Sequence, residues 1–294
     1  MKIGPAFLVA CLFGLLPAVA IAQSGRPPPP VPSSQQELID VRDPAAVRAR
    51  RPLLIAHRGG VVGPTLPECS LAALREASRW GYDMIELDVR ATKDGVPVVF
   101  HDRDLRSACG RDATIAGLTA AEVSGIRYRK NNETIATLDE ALALCRKLNL
   151  GVMLDFKDSV LPPEFLRQAA ALVRRHHLER STVTISGHPL VRVELRSVAV
   201  VPVTPEELQR IAKGERVAAD GLYWFGIPAW IAFDTIPKLQ KAGALVVPAI
   251  NTFRYENDPD RVQARREVEQ LLKIGVDGFQ IDSAYQDFFG RALP

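Results

Sequence analysis

The chain has 294 residues, of which 47% are hydrophobic and 24% are charged. These proportions are typical of a globular protein and exclude a disordered, collagen-like or multi-span membrane chain. Its 37 lysines and arginines nearly balance its 34 aspartates and glutamates, giving a formal charge of +3. Because the basic residues are scattered and are not interleaved with aromatic residues, we expect no nucleic-acid partner.

The N-terminus has the pattern of a secretory signal peptide over residues 1–22. A positively charged start precedes the apolar run Ala6–Ala22, which ends in the small-x-small cleavage signal Ala20-Ile21-Ala22. The run is short for a transmembrane helix, so we expect a secreted or periplasmic protein with no stable membrane anchor after cleavage. The alternatives are an uncleaved anchor, or lipidation at Cys11, which lies inside the apolar run rather than after it.

Residues 23–36 are expected to form an exposed linker, because Pro27–Pro30 favours an extended polyproline segment. A single folded domain is expected over residues 37–294. It contains Cys69, Cys109 and Cys145. None of them has CxxC spacing, so we expect no structural zinc, and the sequence leaves the pairing of any single disulfide open.

From residue 53 onward, short apolar strands alternate with amphipathic helices. The predicted strands are Leu53–His57, Met84–Val89, Val152–Phe156, Thr182–Ser186, Val198–Val203, Gly221–Tyr223, Leu245–Ile250 and Gly278–Asp282. The predicted helices are Ser70–Trp80, Leu138–Leu148, Glu164–His177, Glu206–Lys213, Asp234–Ala242 and Arg261–Ile274. This order predicts an α/β fold, a (β/α)₈ TIM barrel. A doubly wound sheet is the competing fold, but the GxGxxG turn that usually marks it is missing.

Side chains suited to catalysis follow the early strands, and strand ends carry the active site in such barrels. His57 and His101 each close a short apolar strand, the second being Pro97–Phe100, in a chain with five histidines. Glu86 and Asp88 are two residues apart, so they project from the same strand face. Two inward carboxylates are unfavourable unless they are paired or bind a metal. The alternative is an exposed alternating strand.

Five ordered blocks of sequence resemble the glycerophosphodiester phosphodiesterase family. They are Ala56–Gly60, Pro67–Ala73, Gly81–Val89, Thr92–Gly95 and Val98–Asp102. Weaker matches follow at Ala136–Ala141, Leu154–Lys157 and Gly275–Asp282. The resemblance implies a (β/α)₈ barrel that hydrolyses glycerophosphodiesters, small-molecule phosphodiester substrates, to glycerol 3-phosphate and an alcohol.

The resemblance also implies roles for eight residues: acid–base catalysis by two histidines, phosphate binding by two basic residues, and metal binding by four carboxylates. The histidines are His57 and His101, the basic residues are Arg58 and Lys157, and the carboxylates are Glu86, Asp88, Asp155 and Glu68. Imidazoles suit proton exchange near neutral pH. Hard oxygen donors suit a divalent metal, Mg²⁺ or Ca²⁺.

The chain departs from the family pattern at several positions. Asp155 stands where the family usually has glutamate, and Cys69 stands where it usually has asparagine; we interpret this cysteine as a buried, inert thiol. The segment between His101 and Thr137 is short, which favours an open pocket. The aromatic residues Trp224, Phe225 and Trp230 follow the sixth strand and form either a wall for the leaving group or part of the core.

Two other functions compete with glycerophosphodiester hydrolysis. One is a lysophospholipase D or sphingomyelinase-type activity on lipids, for which residues 224–230 would form an apolar rim. The other is a secreted, non-catalytic binding protein, which is disfavoured because both histidines, both basic residues and the paired carboxylates are present. The sequence leaves the alcohol group and the oligomeric state open.

Overall fold

Nine β-strands and ten α-helices lie within residues 37–291, the part of the chain that this computed structural model describes. The predicted signal peptide, the linker and Cys11 lie outside the described residues. The strands are β1 (Leu53–Ala56), β2 (Met84–Ala91), β3 (Pro97–Val99), β4 (Gly151–Phe156), β5 (Thr182–Thr184), β6 (Val201–Pro202), β7 (Leu222–Gly226), β8 (Leu245–Ile250) and β9 (Gly278–Ile281). The helices are α1 (Pro44–Arg50), α2 (Leu71–Arg79), α3 (Arg106–Cys109), α4 (Ala120–Ser124), α5 (Leu138–Lys147), α6 (Pro163–Arg175), α7 (Pro189–Leu195), α8 (Pro205–Ala212), α9 (Ile236–Lys241) and α10 (Val262–Ile274).

All strands except β3 are parallel and follow one another around a barrel in the order β5-β4-β2-β1-β9-β8-β7-β6. A parallel bridge between Val183 and Val200 joins β5 to the residue before β6, which brings the two ends of the sheet together. The predicted single-domain (β/α)₈ barrel is therefore confirmed. No helix within residues 37–291 has the length and apolar composition needed to span a membrane.

The inside of the barrel changes from apolar to polar along its axis. Near the start of the strands, Leu53, Met84 and Met153 pack against Val41, which precedes the barrel in the chain. Nearer the carboxyl ends, the inside of the barrel also contains buried polar residues, namely Glu86, Asp88, Asn251 and Gln280. The barrel therefore offers buried polar ligands at one end, the end at which TIM-barrel active sites lie.

Beyond β3 the chain forms a small lobe outside the barrel. β3 pairs antiparallel with β2, and residues 100–137 contain the short helices α3 and α4. The lobe has a core of its own, formed by Val98, Phe100, Leu105, Ile115, Val123, Ile126, Tyr128 and Ile135. His101 lies where the chain passes from β3 into this lobe.

The sequence pattern does not predict α1 or α7. Each helix has only seven residues, and the buried side chains are Val47 in α1 and Val191 and Leu195 in α7. Two turns with so few buried positions are too short to show a helical period. His188, one of the five histidines, precedes α7 and caps its N-terminus. Its ring accepts a hydrogen bond from the main-chain N–H of Leu190.

Candidate active site

His57 follows β1 and is held through its ring. Its Nδ1 lies 2.6 Å from Oδ1 of Asp282, which follows β9. Thr252 fixes Asp282 in turn, since its main-chain N–H and hydroxyl donate to Oδ2 at 2.6 and 2.7 Å. Burial favours the neutral carboxyl, but His57 and Thr252 outweigh it and hold the pKa of Asp282 below its ordinary value. Because a carboxylate only accepts, Asp282 favours the tautomer with the proton on Nδ1, which leaves Nε2 able to accept one.

The chain turns sharply after β1, and the turn presents Arg58 at the barrel end. Arg58 has a left-handed φ of 52°, which is uncommon for a residue with a side chain. Its main-chain N–H donates to Glu86 Oε2 at 2.6 Å, and its Nη1 donates to Glu68 Oε2 at 2.9 Å. Only glycine fits at position 59, because a Cβ there would lie 2.6 Å from the Cα of Cys69. The turn therefore connects the loop after β1 to the carboxylates of the barrel.

Glu86, Asp88 and Asp155 each bring a carboxylate oxygen within 4.8 Å of the other two. Asp88 and Asp155 are direct neighbours in the pairing of β2 with β4, and Glu86 and Asp88 are 1% and 0% exposed. Burial, together with the charges of Asp88 and Asp155, raises the pKa of Glu86 well above its ordinary value. Asp88 Oδ1 is buried and accepts no hydrogen bond from the described residues. This donor set fits a hard divalent cation, which would neutralise the clustered charge.

Lys157, just after β4, is the cation nearest these three carboxylates. Its Nζ lies 3.0 Å from Asp155 Oδ2 and 3.2 Å from Asp88 Oδ1, the second contact lacking hydrogen-bond geometry. Burial opposes the charged form, but Asp88 and Asp155 outweigh it and raise the pKa of Lys157. One ammonium against three carboxylates leaves two negative charges, which matches the charge of a divalent cation.

Glu68, the fourth predicted metal ligand, belongs to a different group of side chains. It clusters with His101 and Asp102 rather than with the three carboxylates of β2 and β4. Its Oε1 lies 3.7 Å from His101 Nδ1, while its Oε2 accepts from Arg58. His101 Nδ1 also lies 2.9 Å from Asp102 Oδ1. The structure therefore places Glu68 between a predicted catalytic histidine and the predicted phosphate-binding arginine.

His57 and Arg58 line two clefts at this end of the barrel. The inner cleft, of about 260 Å³, is lined by His57, Arg58, His101, Asp155, Lys157, Ile185, Phe225, Asn251, Phe253, Arg254 and Gln280. The outer cleft, of about 530 Å³, is lined by His57, Arg58, Gly60, Val62, Glu68, Thr252, Phe253, Glu256, Asp282, Ser283 and Ala284. The inner cleft thus brings together both predicted catalytic histidines, both predicted phosphate-binding residues and one predicted metal ligand.

The aromatic residues after the sixth predicted strand divide between core and cleft. Trp224 is buried, whereas Phe225 lines the inner cleft. Trp230 is 66% exposed, and Phe253, which sequence reasoning did not single out, is 51% exposed. The guanidinium of Arg254 lies over both rings, 5.4 Å from that of Trp230 and 4.9 Å from that of Phe253. An exposed aromatic pair with a cation therefore flanks the inner cleft.

Sequence reasoning also missed the partners of His57. Asn251 Nδ2 lies 3.1 Å from His57 Nδ1 and donates to Gln280 Oε1 at 3.1 Å. Asp282, Asn251 and Gln280 lie at or near the ends of the last two strands. Applying the strand-end rule to β8 and β9 as well as to the early strands would have identified them.

The three cysteines among the described residues are free. Cys69 donates from Sγ to Asp88 Oδ2 at 3.3 Å. Burial first, and then the charge of Asp88, raises the pKa of this thiol well above its ordinary value. A buried thiol held in its neutral form has little nucleophilic character, in agreement with the interpretation of Cys69 as inert.

Comparison with known proteins places this site in a family. Residues 57–212 match the model of the glycerophosphoryl diester phosphodiesterase family, and this range contains every site residue predicted above. A glycerophosphodiester phosphodiesterase of Caldanaerobacter subterraneus is 30% identical over 244 residues, covering 78% of this chain and 93% of that protein. The chain belongs to the glycerophosphoryl diester phosphodiesterase family. The resemblance found in the five sequence blocks is confirmed.

Other relatives define how far the likeness extends. Glycerophosphodiester phosphodiesterase 1 of Mus musculus is 34% identical over 137 residues, covering 44% of this chain and only 39% of the mouse protein. Among solved structures, an Oleispira antarctica phosphodiesterase in complex with the product sn-glycerol-3-phosphate has a TM-score of 0.62 at 20% identity, covering 83% of this chain and 99% of that one. A glycerophosphodiester phosphodiesterase from Agrobacterium tumefaciens has a TM-score of 0.59 at 22% identity, covering 79% and 96%. These structures share the barrel fold.

Proposed function

We propose that this protein hydrolyses glycerophosphodiesters to glycerol 3-phosphate and an alcohol by acid–base catalysis between His57 and His101. The observation that carries the proposal is the lining of the inner cleft, where both histidines face one space together with Arg58 and Lys157. Family membership supports the same reaction, because the relative from Caldanaerobacter subterraneus is named a glycerophosphodiester phosphodiesterase.

The two imidazoles divide the proton transfers of such a reaction. One takes a proton from the attacking water as its oxygen bonds to phosphorus, and the other gives a proton to the alcohol oxygen as its bond to phosphorus breaks. Asp282 at Nδ1 of His57 and Asp102 at Nδ1 of His101 leave the Nε2 atoms available for these transfers. Arg58 and Lys157 bind the phosphoryl oxygens and oppose the negative charge that develops on them.

We propose Glu86, Asp88 and Asp155 as the ligands of one divalent cation, Mg²⁺ or Ca²⁺. Their mutual distances, the excess of two negative charges and the buried Asp88 Oδ1 all fit such an ion. When bound, the cation polarises phosphoryl oxygens. Glu68 supports the site from outside this set, because it holds Arg58, whose main-chain N–H donates to Glu86.

The decisive experiment measures release of choline and of ethanolamine from glycerophosphocholine and glycerophosphoethanolamine, before and after exhaustive treatment with EDTA. We expect turnover by the parent protein, its loss on chelation, and its return with added Mg²⁺ or Ca²⁺. Absence of turnover on every glycerophosphodiester tested would contradict the proposed activity. Full turnover in chelated protein, with no metal found by elemental analysis, would contradict the metal site alone.

A second candidate is hydrolysis of lysophospholipids, and two exposed rings favour it. Phe253 lines the inner cleft, and Trp230 contacts Arg254, another residue of that cleft. Apolar surface at the mouth of a site can hold an acyl chain. One human relative, 29% identical over 141 residues, is named lysophospholipase D. If lipids are the substrates, Trp230→Ala should raise the KM for lysophosphatidylcholine and leave that for glycerophosphocholine unchanged. Equal effects on both would argue against the lipid candidate.

We also propose that the protein acts outside the cytoplasm, after cleavage of the signal peptide behind Ala22. The support is the sequence pattern of residues 1–22 alone. N-terminal sequencing of the protein recovered from the native source should begin at Gln23. A protein that retains Met1–Ala22 would contradict cleavage.

A further inference from the structure

Arg90 is a buried arginine in the same row of β2 as the predicted metal ligands. Inward-facing side chains alternate along a strand, so Met84, Glu86, Asp88 and Arg90 share one face. Arg90 is 8% exposed. A buried guanidinium needs partners for its donors, and those of Arg90 lie in two loops that carry predicted site residues.

The first partner is the main chain of His101. Arg90 Nε and Nη2 donate to the carbonyl oxygen of His101 at 3.0 and 2.7 Å. The second partner is Asp158, which accepts from Arg90 Nη1 at 2.9 Å and from the main-chain N–H of Ala91 at 2.8 Å. Asp158 follows Lys157 in the chain. One planar group therefore bridges the loop that carries His101 and the loop that carries Lys157.

His101 needs such an anchor more than a residue on a barrel strand does. It follows β3, which has three residues, pairs with β2 and, among the described residues, has only one bridge on its other side, between Val98 and Thr137. The last ladder contact before it is the hydrogen bond from Phe100 N to Asp88 O at 2.9 Å. Beyond that point the chain leaves the sheet and enters the lobe, so no strand neighbour fixes the peptide of His101.

We propose that Arg90 is a positioning residue for the imidazole of His101. Its guanidinium holds the main-chain carbonyl of His101, and Asp158 holds the guanidinium in the orientation that those two hydrogen bonds require. This inference rests on the proposed function. We assign Arg90 no direct contact with the reacting atoms, because each of its three nitrogens donates to His101 or Asp158 and it lines neither cleft that contains His57. A fixed fork of donors suits this task, whereas a lysine could supply only a point charge.

The test compares Arg90→Gln with Arg192→Gln. Arg192 is a matched control, because it also donates to a main-chain carbonyl, that of Pro202 at 2.8 Å, and pairs with a carboxylate, Glu207 at 2.6 Å. It lines neither cleft. We expect similar losses of Tm in both variants. Only Arg90→Gln should lower kcat, by about 10- to 10²-fold, because a catalytic group displaced by about 1 Å loses a comparable factor. Its KM should stay within about threefold of the parent value, since it binds no substrate.

A double-mutant cycle asks whether Arg90 acts through His101. In the His101→Ala background, Arg90→Gln should lower kcat less than about twofold, because the group it positions has been removed. Arg90→Lys should recover part of the activity, and Asp158→Ala, which keeps Arg90 but releases its orientation, should lower kcat in the same direction. A full additional loss in the His101→Ala background, or parent kcat in both Arg90→Lys and Asp158→Ala, would overturn the proposal.

Crystal structures of the parent and of Arg90→Gln provide a readout that does not depend on turnover. We expect the His101 ring to shift or lose order in the variant while the His57 ring stays in place. An unmoved His101 ring would overturn the clamp, whatever the activity. A parent protein that hydrolyses no phosphodiester would contradict the proposed function, and the two structures would then decide the role of Arg90 separately.

Discussion

The two histidines of the site are held in opposite ways. His57 lies at the end of a barrel strand, and side chains contact its ring. Its Nδ1 lies 2.6 Å from Asp282 Oδ1 and 3.1 Å from Asn251 Nδ2. His101 lies where the chain passes from a three-residue strand into the lobe, and its main-chain carbonyl accepts two hydrogen bonds from Arg90. Its ring contacts only Asp102 and Glu68 among the ion pairs of the described residues.

The contrast shows what each position requires. β1, which ends just before His57, has strand neighbours on both sides, β2 and β9, so what remains to be set is the tautomer and tilt of the ring. At His101 the three-residue strand β3 has ended, and Arg90 holds the peptide through its carbonyl oxygen. Side-chain control therefore acts on proton chemistry at His57, and main-chain control acts on position at His101.

The largest expected effect is the loss of either imidazole. His57→Ala and His101→Ala should each lower kcat by about 10²–10⁴-fold, the usual contribution of acid–base catalysis. Steady-state kinetics on a glycerophosphodiester measures it. His176→Ala is the control, because this ring is also paired with a carboxylate, Asp139 at 2.7 Å, but lies outside both clefts. Parent turnover in either active-site variant would remove that histidine from the mechanism and end the comparison.

Much of this site follows from the sequence, for physical reasons that differ by residue. The shared face of Glu86 and Asp88 follows from the two-residue period of a strand, and His57 follows from the rule that barrel chemistry lies at strand ends. The pairing of His57 with Asp282 does not follow, because 225 residues separate the two and only closure of the barrel by β9 beside β1 brings them together.

Two other features were beyond the sequence for different reasons. The resemblance places Glu68 near the metal, which stays a prediction, but its contacts with Arg58 and His101 depend on the turn after β1 and could not be read from the sequence. Arg90 continues the row of Glu86 and Asp88, so its direction was predictable from the same period. Its partners were not, because a lobe of about forty residues, whose fold the pattern does not specify, decides where the carbonyl of His101 lies.

The next effect tests whether Asp155 belongs to the proposed metal ligands. Asp155→Asn should weaken Mg²⁺ or Ca²⁺ binding by more than about 10²-fold if Asp155 is a direct ligand, and by about 10- to 100-fold if it acts only through other ligands. Calorimetric titration of metal into apo protein measures the change. Asp155→Glu, the usual residue of the family, should keep or improve the affinity.

The alternative to metal binding by Asp155 is an ion pair with Lys157, whose Nζ lies 3.0 Å from Asp155 Oδ2. If that pair is the only role of Asp155, the Glu variant should change Tm and leave the metal titration as in the parent. Metal binding by Asp155→Asn as tight as that of the parent would contradict both metal roles.

A smaller effect tests whether Asp282 orients the ring of His57. Asp282→Asn should lower kcat by about 10- to 10²-fold, the usual loss for a partner that orients a functional group. The corresponding loss in the serine-protease triad, about 10⁴-fold, is the upper limit for this change. Asp139→Asn is the control, because Asp139 also pairs with a histidine away from the clefts. If Asp282→Asn and Asp139→Asn have equal kinetics, Asp282 does not control the catalytic ring.

The smallest effect concerns the stability of the metal-free protein. Burial and the charges of Asp88 and Asp155 raise the pKa of Glu86, so the folded state holds a proton that the unfolded chain releases near its ordinary pKa of about 4.3. The folded protein therefore loses stability as the pH rises above that value towards the folded pKa. Glu86→Gln carries no charge, and its amide oxygen can still accept from Arg58. We expect it to stabilise the apo protein at neutral pH by about 0.5–2 kcal/mol, measured by urea unfolding in EDTA, while metal affinity falls.

The matched control for Glu86→Gln is Glu207→Gln, for which the expected change in stability has the opposite sign. Burial raises the pKa of Glu207, but Thr204 and Arg192 outweigh it and hold that pKa below its ordinary value, so its charge stabilises the fold and Glu207→Gln should destabilise the protein. The stabilising effect of Glu86→Gln should also disappear near pH 4, where the unfolded chain keeps its proton as well. If Glu86→Gln destabilises the apo protein at neutral pH, the three carboxylates are not in electrostatic conflict. The charge argument for a divalent cation at Glu86, Asp88 and Asp155 would then fail, although the mutual distances of the three carboxylates would still fit one.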